Sequence, residues 1–126
     1  MIKLTILGQA RGGKNNIGVS RSGFRYPNKL FSLYKKDACS QLENQVFNYP
    51  MIKDKSFKYI FDYTPEDNRR RDATAILDGL FHIMEKLSIV EDDKLIKDFF
   101  FKEHPADKKD PKVVITIMSE GDYSGK

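Results

Sequence analysis

The sequence predicts a small α+β domain, a mixed or antiparallel sheet with two helices. Three observations predict it. Ile2 to Leu7 and Phe57 to Tyr63 alternate residue by residue, as half-buried strands do. Leu30 to Phe47 and Ala73 to Ser88 repeat their apolar groups at helical spacing. With 126 residues, 40% hydrophobic and 32% charged, the chain has material for one core and no second domain.

The elements follow in order. Ile2, Leu4 and Ile6 define the first strand. Gly8 to Gly23 is rich in Gly, Ser, Asn and basic residues and reads as a long loop, with a hairpin through Arg21-Ser22-Gly23-Phe24. The first helix carries Leu30, Leu33, Tyr34, Ala38, Leu42, Val46 and Phe47, with Asn28 as its N-cap and Asn48-Tyr49-Pro50 as its end. Phe57, Tyr59, Phe61 and Tyr63 mark the next strand, and Thr64 to Arg71 a polar turn. Asp72 caps the second helix, whose apolar positions are Ile76, Leu77, Leu80, Phe81, Ile83, Met84 and Leu87. Leu95 to Lys102 and Val113 to Met118 complete the sheet, separated by a charged turn from His104 to Pro111. The domain spans 1–118, and 119–126 form a flexible tail.

Composition narrows the function. No apolar run approaches the roughly 20 residues of a membrane helix, and Met1-Ile2-Lys3-Leu4 lacks the features of a signal peptide. The expectation is an intracellular protein with no membrane partner. A single cysteine, Cys39, excludes an internal disulfide framework and a multi-cysteine zinc site. With only His82 and His104 besides, a metal would sit on carboxylates, which suits magnesium or manganese. The net charge of +4 is unevenly spread: residues 1–36 hold eight basic groups and no acid. Such one-sign segments favour a polyanion partner.

Four groups of residues carry candidate chemistry. Gly8-Gln9-Ala10-Arg11-Gly12-Gly13-Lys14-Asn15 nearly fits a phosphate-binding loop, but Asn15 stands where a hydroxyl should hold magnesium. The residues after it read as loop, so it reads as a basic, backbone-contacting segment and no nucleotide cofactor is expected. Arg69-Arg70-Arg71-Asp72 places three exposed guanidinium groups before a helix start, a pattern that can lie along phosphates. Glu91-Asp92-Asp93 is either a solvated acidic turn or a cation site. Thr74, Asp78 and His82 share one face of the second helix at four-residue spacing.

Together these residues resemble the core of the RusA family of Holliday junction resolvases. That family has R-R-R-D-x-D-N-x-x-K, an amphipathic helix, and a D-D pair before the next strand. Arg69 to Asp72 and Asp92-Asp93 match the two ends of the pattern. The N-terminal strand, the basic glycine loop and Gly23-Phe24-Arg25-Tyr26-Pro27 before a helix are similar too. The resemblance implies a homodimeric, magnesium- or manganese-dependent endodeoxyribonuclease that resolves branched DNA in recombination and repair. The setting would be the cytoplasm of a bacterial or phage-infected cell. It implies Asp72, Asp93 and Asp78 as catalytic residues and Asp72, Asp93 and Asp92 as metal ligands. Arg69, Arg70, Arg71, Lys14, Arg21 and Arg25 would bind DNA.

The sequence departs from the family at three motif positions. Thr74 stands for the second aspartate, Ala75 for the asparagine and Asp78 for the lysine. Asp72 and Asp78 are separated by roughly 9 Å of helical rise, far for direct ligation of one ion. A junction-binding protein without catalysis is therefore the alternative. A phosphotransferase using the Gly8 to Lys14 loop and a protein-interaction module are two further classes. Phe99-Phe100-Phe101 puts bulk on both faces of a strand, either as a dimer interface or as a buried central strand.

Overall fold

A computed structural model describes residues 1–12, 17–19, 25–27, 29–47 and 49–119. The elements are β1 (Ile2–Leu7), β2 (Ile17–Val19), β3 (Arg25–Pro27), α1 (Lys29–Val46), β4 (Lys58–Thr64), α2 (Ala73–Lys86), a 3-10 turn (Asp93–Leu95), β5 (Asp98–Glu103) and β6 (Lys112–Met118). The main sheet has the order β1-β6-β4-β5, while β2 and β3 form a separate antiparallel pair. β1 and β4 both run antiparallel to β6, and β5 runs parallel to β4. The sheet is thus mixed. A parallel neighbour needs a crossover, and α2 supplies it.

Period-two alternation fixes which face is buried. Leu4, Ile6, Tyr59, Phe61, Tyr63, Val113, Ile115 and Ile117 point to one face and are almost wholly buried. Tyr34, Ala38 and Leu42 of α1 and Ile76, Leu80, Ile83 and Met84 of α2 cover them. Each such side chain contributes about 1.5–3 kcal/mol of burial. The opposite face presents half-buried Ile60, Asp62, Thr64 and Val114. Gly79 lets α1 approach α2, for a Cβ there would lie 2.8 Å from the Phe31 ring.

The two edges of the sheet differ. At the β1 edge, Gln45 Oε1 accepts the Thr5 N–H at 2.8 Å, and its Nε2 donates to the Thr5 carbonyl at 2.8 Å. Gln41 brackets Leu7 in the same way, at 2.7 and 3.0 Å. Two side-chain amides of α1 thus stand in for a neighbouring strand. At the β5 edge no described strand pairs with the outer backbone. β5 is an edge strand rather than a central one, and Phe99 and Phe100 are 41% and 58% exposed.

Three boundaries move from the sequence reading. The last turn of α2 ends at Lys86, and Ser88 takes a left-handed backbone with φ 58°. The strand expected from Leu95 begins at Asp98, because residues 93–95 close a 3-10 turn instead. The glycine-rich stretch contains β2 and β3 as the two arms of the expected hairpin. Asn28, the proposed hairpin turn at 21–24 and the tail at 120–126 lie outside the described residues. No helix among the described residues is long and apolar enough to cross a membrane.

Candidate functional site

The chain leaves β1 through Gly8, whose φ of 107° only glycine adopts readily. Its N–H bonds to the Pro111 carbonyl at 2.8 Å. The next residue, Gln9, is buried. Its Nε2 donates to Tyr63 Oη at 2.7 Å and to the Ala10 carbonyl at 2.8 Å, and its Oε1 accepts the Glu66 N–H at 2.7 Å. One amide thereby fastens the basic loop to the turn that leads from β4 to α2. A buried amide with all three contacts made is a strong positional constraint.

Gly12 then lies directly on the first turn of α2. A Cβ at this position would fall 2.6 Å from the Ala75 backbone carbon. The close approach forms a cleft of about 230 Å³ lined by Arg11, Gly12, Arg69, Arg71, Asp72 and Ala75, among others. The glycine loop and the arginine turn, far apart in sequence, therefore share one surface. The next described element after the loop is β2, not the helix that a nucleotide-binding loop of this spacing requires.

The three arginines divide into two kinds. Arg69 and Arg70 are exposed. Arg71 is not, contrary to the expectation for all three: its side chain is 13% exposed. Its Nη1 lies 2.9 Å from Asp67 Oδ1 and donates to the Arg69 carbonyl at 3.2 Å. Burial opposes its charge, yet the hydrogen bond to Asp67 leaves the guanidinium pKa above its ordinary value. In return, the Arg69 N–H and the Arg71 side chain hold the Asp67 carboxyl below the usual carboxylate range. Arg71 thus pins the turn, and Arg69 and Arg70 remain exposed beside it.

Asp72 is the N-cap of α2. Its Oδ1 accepts the N–H of Thr74 at 3.0 Å and of Ala75 at 3.3 Å. A cap of this kind stabilises a helix by about 1 kcal/mol. Thr74 is exposed in the first turn, and Asp78 is half-buried one turn further on. The face turns toward α1 at His82, whose Nε2 lies 3.2 Å from Lys35 Nζ.

At the other end of α2 the acids converge. Glu85, Asp92 and Asp93 each offer a carboxylate oxygen, all within 4.8 Å of one another. Glu85 Oε1 accepts the Asp93 N–H at 2.9 Å. Asp92 Oδ1 accepts the Lys94 N–H at 2.9 Å and caps the 3-10 turn; that bond holds its carboxyl below the ordinary range. The donor set is all carboxylate oxygen, which fits magnesium or manganese in chemistry. Asp92 and Glu85 are exposed and Asp93 half-buried, so a hydrated cation has access.

The structure therefore groups the expected residues differently from the sequence reading. Asp92 and Asp93 stand together, joined by Glu85, which sequence spacing did not single out. Asp72 stands apart from them by the length of α2, a helix of 14 residues, or roughly 20 Å. Asp78 lies between. Lys14 and Arg21 lie outside the described residues, and Arg25 is placed by its backbone in β3, opposite Val19. Gln9 was also missed. The helical period hints at Glu85, since it falls in the last turn just before the acidic run. Nothing in the local sequence marks Gln9 as buried.

No protein-family model matches this sequence, and no curated protein matches it.

Proposed function

We propose that this chain is a structure-selective, metal-dependent endodeoxyribonuclease similar to the RusA resolvases, acting on branched DNA as a homodimer. The observation that carries the reading is the surface at the start of α2. There the basic loop and the arginine turn, separate in sequence, meet around one cleft lined by Arg11, Arg69, Arg71 and Asp72. Exposed Arg69 and Arg70 suit phosphates of two nearby strands, and the acid-free N-terminal third extends the positive surface. The acidic trio Glu85, Asp92 and Asp93 is the candidate for magnesium or manganese. When bound, such a cation supplies Lewis acidity to a phosphodiester and eases deprotonation of water. The residues do the rest. Arg69 and Arg70 grip phosphates further along the strand and so orient it, and a carboxylate of the trio accepts the proton as water oxygen joins phosphorus and one P–O ester bond breaks. The setting is the cytoplasm of a bacterial or phage-infected cell.

One observation favours a second reading, a junction-binding protein that does not cut. The Asp72 carboxylate is occupied by two backbone N–H groups and is distant from the trio within its own chain. Thr74, Ala75 and Asp78 also replace the family's aspartate, asparagine and lysine.

An end-labelled synthetic four-way junction decides between them. It is incubated with magnesium, manganese or chelator, for the wild type and Asp93→Asn. Metal-dependent nicking abolished by the substitution supports the nuclease. Junction that is retarded but uncut under every condition supports the binding protein. No retardation at low salt overturns both.

A further inference from the structure

We propose that the face of the sheet turned away from both helices is a binding platform for single-stranded nucleic acid, separate from the cleft at the start of α2. It rests on the sheet face alone and not on the nuclease reading.

The first observation is what the pairing register brings together. Both helices pack on the face that carries Leu4, Phe61 and Ile115. On the other face, side chains stand in rows across the four strands. Lys3, Thr116, Ile60 and Phe100 form one row, and Thr5, Val114, Asp62 and Lys102 the next. Lys58 stands beyond the first of these rows and Lys112 beyond the second. A solvated sheet face is ordinarily polar. Here Ile60 and Val114 are half-buried and Phe100 is exposed. The middle of the face is therefore apolar, and lysines surround it.

The second observation is charge and shape. Lys3, Lys58, Lys102 and Lys112 set four ammonium groups on this face against two carboxylates, Asp62 and Asp98. A cleft of about 430 Å³ lies over Ile60 and Val114, with Lys3, Lys112 and His104 around it. His104 Nε2 donates to Asp62 Oδ1 at 2.7 Å, so the carboxylate in the cleft is already bonded. Lys112 Nζ lies 2.7 Å from Asp110 Oδ2. Ion pairs this exposed contribute little, and the ammonium is readily shared with a phosphate.

The third argument is which polyanion fits. Lys3 on β1 and Lys102 on β5 are separated by three strand spacings, roughly 14 Å. Lys112 lies four residues along β6 from Thr116, the partner of Lys3, or roughly 13 Å. Cations so spread match successive phosphates of a chain rather than one small anion. A duplex hides its base faces in the stack, whereas a single strand can lay them on an apolar floor and an exposed ring. An acidic peptide satisfies the lysines but has no need of an exposed ring among them.

The chain has no tryptophan, so Phe100→Trp places a single reporter on this face. An oligothymidylate of about 12 nucleotides is expected to quench its emission by stacking, and a duplex of the same length to leave it nearly unchanged. Leu33→Trp, at an exposed position of α1, is expected to stay unquenched. With no tryptophan introduced, retention of the labelled oligonucleotide is measured against salt. Lys3→Ala/Lys102→Ala is expected to bind about tenfold more weakly at low salt and to flatten the salt slope by about 1.4, two contacts at about 0.7 each. Arg69→Ala/Arg70→Ala is expected to leave the quenching of Phe100→Trp in place.

No quenching of Phe100→Trp at concentrations where the wild type retains the oligonucleotide overturns the platform. So does a wild type that retains none at low salt, or a double lysine variant with an unchanged slope. Equal quenching by the duplex or by polyglutamate overturns the single-strand assignment. Quenching lost with Arg69→Ala/Arg70→Ala overturns the separate site. A four-way junction left uncut removes the nuclease reading and moves none of these outcomes.

Discussion

Gln9 and Glu66 are 57 residues apart, yet the Gln9 side-chain oxygen accepts the Glu66 N–H at 2.7 Å. The same amide donates to the hydroxyl of buried Tyr63. Gln9→Ala leaves both partners without this bond. A buried polar group that loses its partner costs about 1–3 kcal/mol. The expected loss is therefore about 2–4 kcal/mol in urea unfolding, with a matching fall in melting temperature. The arginine turn should loosen too, so protease cleavage between Glu66 and Asp72 should rise before global unfolding.

The amide brackets at β1 make a second prediction. Gln41 and Gln45 satisfy backbone groups that an added strand would otherwise use. Replacing both by Ala exposes those groups to water and costs about 1–2 kcal/mol. It also opens a second pairing edge. Sedimentation of the double variant should show species larger than those of the wild type, growing with concentration.

How much of this was legible in sequence follows from the range of the interactions. Alternation in Ile2–Leu7 and Phe57–Tyr63, and helical spacing before Val46 and Lys86, are local signals, and the corresponding elements formed within a few residues of expectation. The sheet order is non-local: nothing near Phe99 says whether β5 is central or an edge. The acidic run was visible, but its partner Glu85 reaches it only because α2 ends where it does. Grouping Asp72 with Asp93 within one chain neglected the helix between them. Arg71 looked exposed because its neighbours are, whereas Asp67 draws it into the turn.

The end of α2 offers a third prediction. Ser88 follows the Leu87 C-cap with φ 58°, a position usually filled by glycine. A side chain in this conformation is strained by about 1–2 kcal/mol, partly offset by the greater freedom of glycine when unfolded. Ser88→Gly is expected to raise unfolding stability by about 0.5–1 kcal/mol. The Ser88 N–H donates to the Glu85 carbonyl at 3.0 Å, a backbone bond that glycine retains, so metal affinity should not change.

Acid sensitivity follows from Asp67. Its carboxyl is held below the ordinary value of 3.8 by the Arg69 N–H and the Arg71 guanidinium. A group depressed in the folded state stabilises fully above its unfolded pKa, and the contribution is lost as pH falls through the folded pKa. The effect therefore lies below pH 3.8. Asp67→Asn is expected to be less stable than the wild type at neutral pH. The difference should shrink as pH drops through this range. Urea midpoints measured from pH 7 to pH 2.5 check both the sign and the window.

The arginine turn gives the prediction that best separates binding from folding. Arg69 and Arg70 are exposed, while Arg71 is pinned between Asp67 and the Arg69 carbonyl. A phosphate contact is electrostatic and salt-dependent, and each one lost flattens the salt slope by about one. Arg69→Ala and Arg70→Ala should therefore weaken four-way-junction retention and flatten its salt dependence, with unfolding midpoints unchanged. Arg71→Ala should act the other way round. It removes a partly buried ion pair with Asp67 and lowers stability, and junction retention falls only as the turn loosens. If all three variants reduce stability equally, the turn is a folding element and the phosphate assignment of Arg69 and Arg70 is wrong. If Arg71→Ala is as stable as the wild type but has lost one unit of salt slope, Arg71 itself reaches the phosphate and its contact with Asp67 breaks on binding.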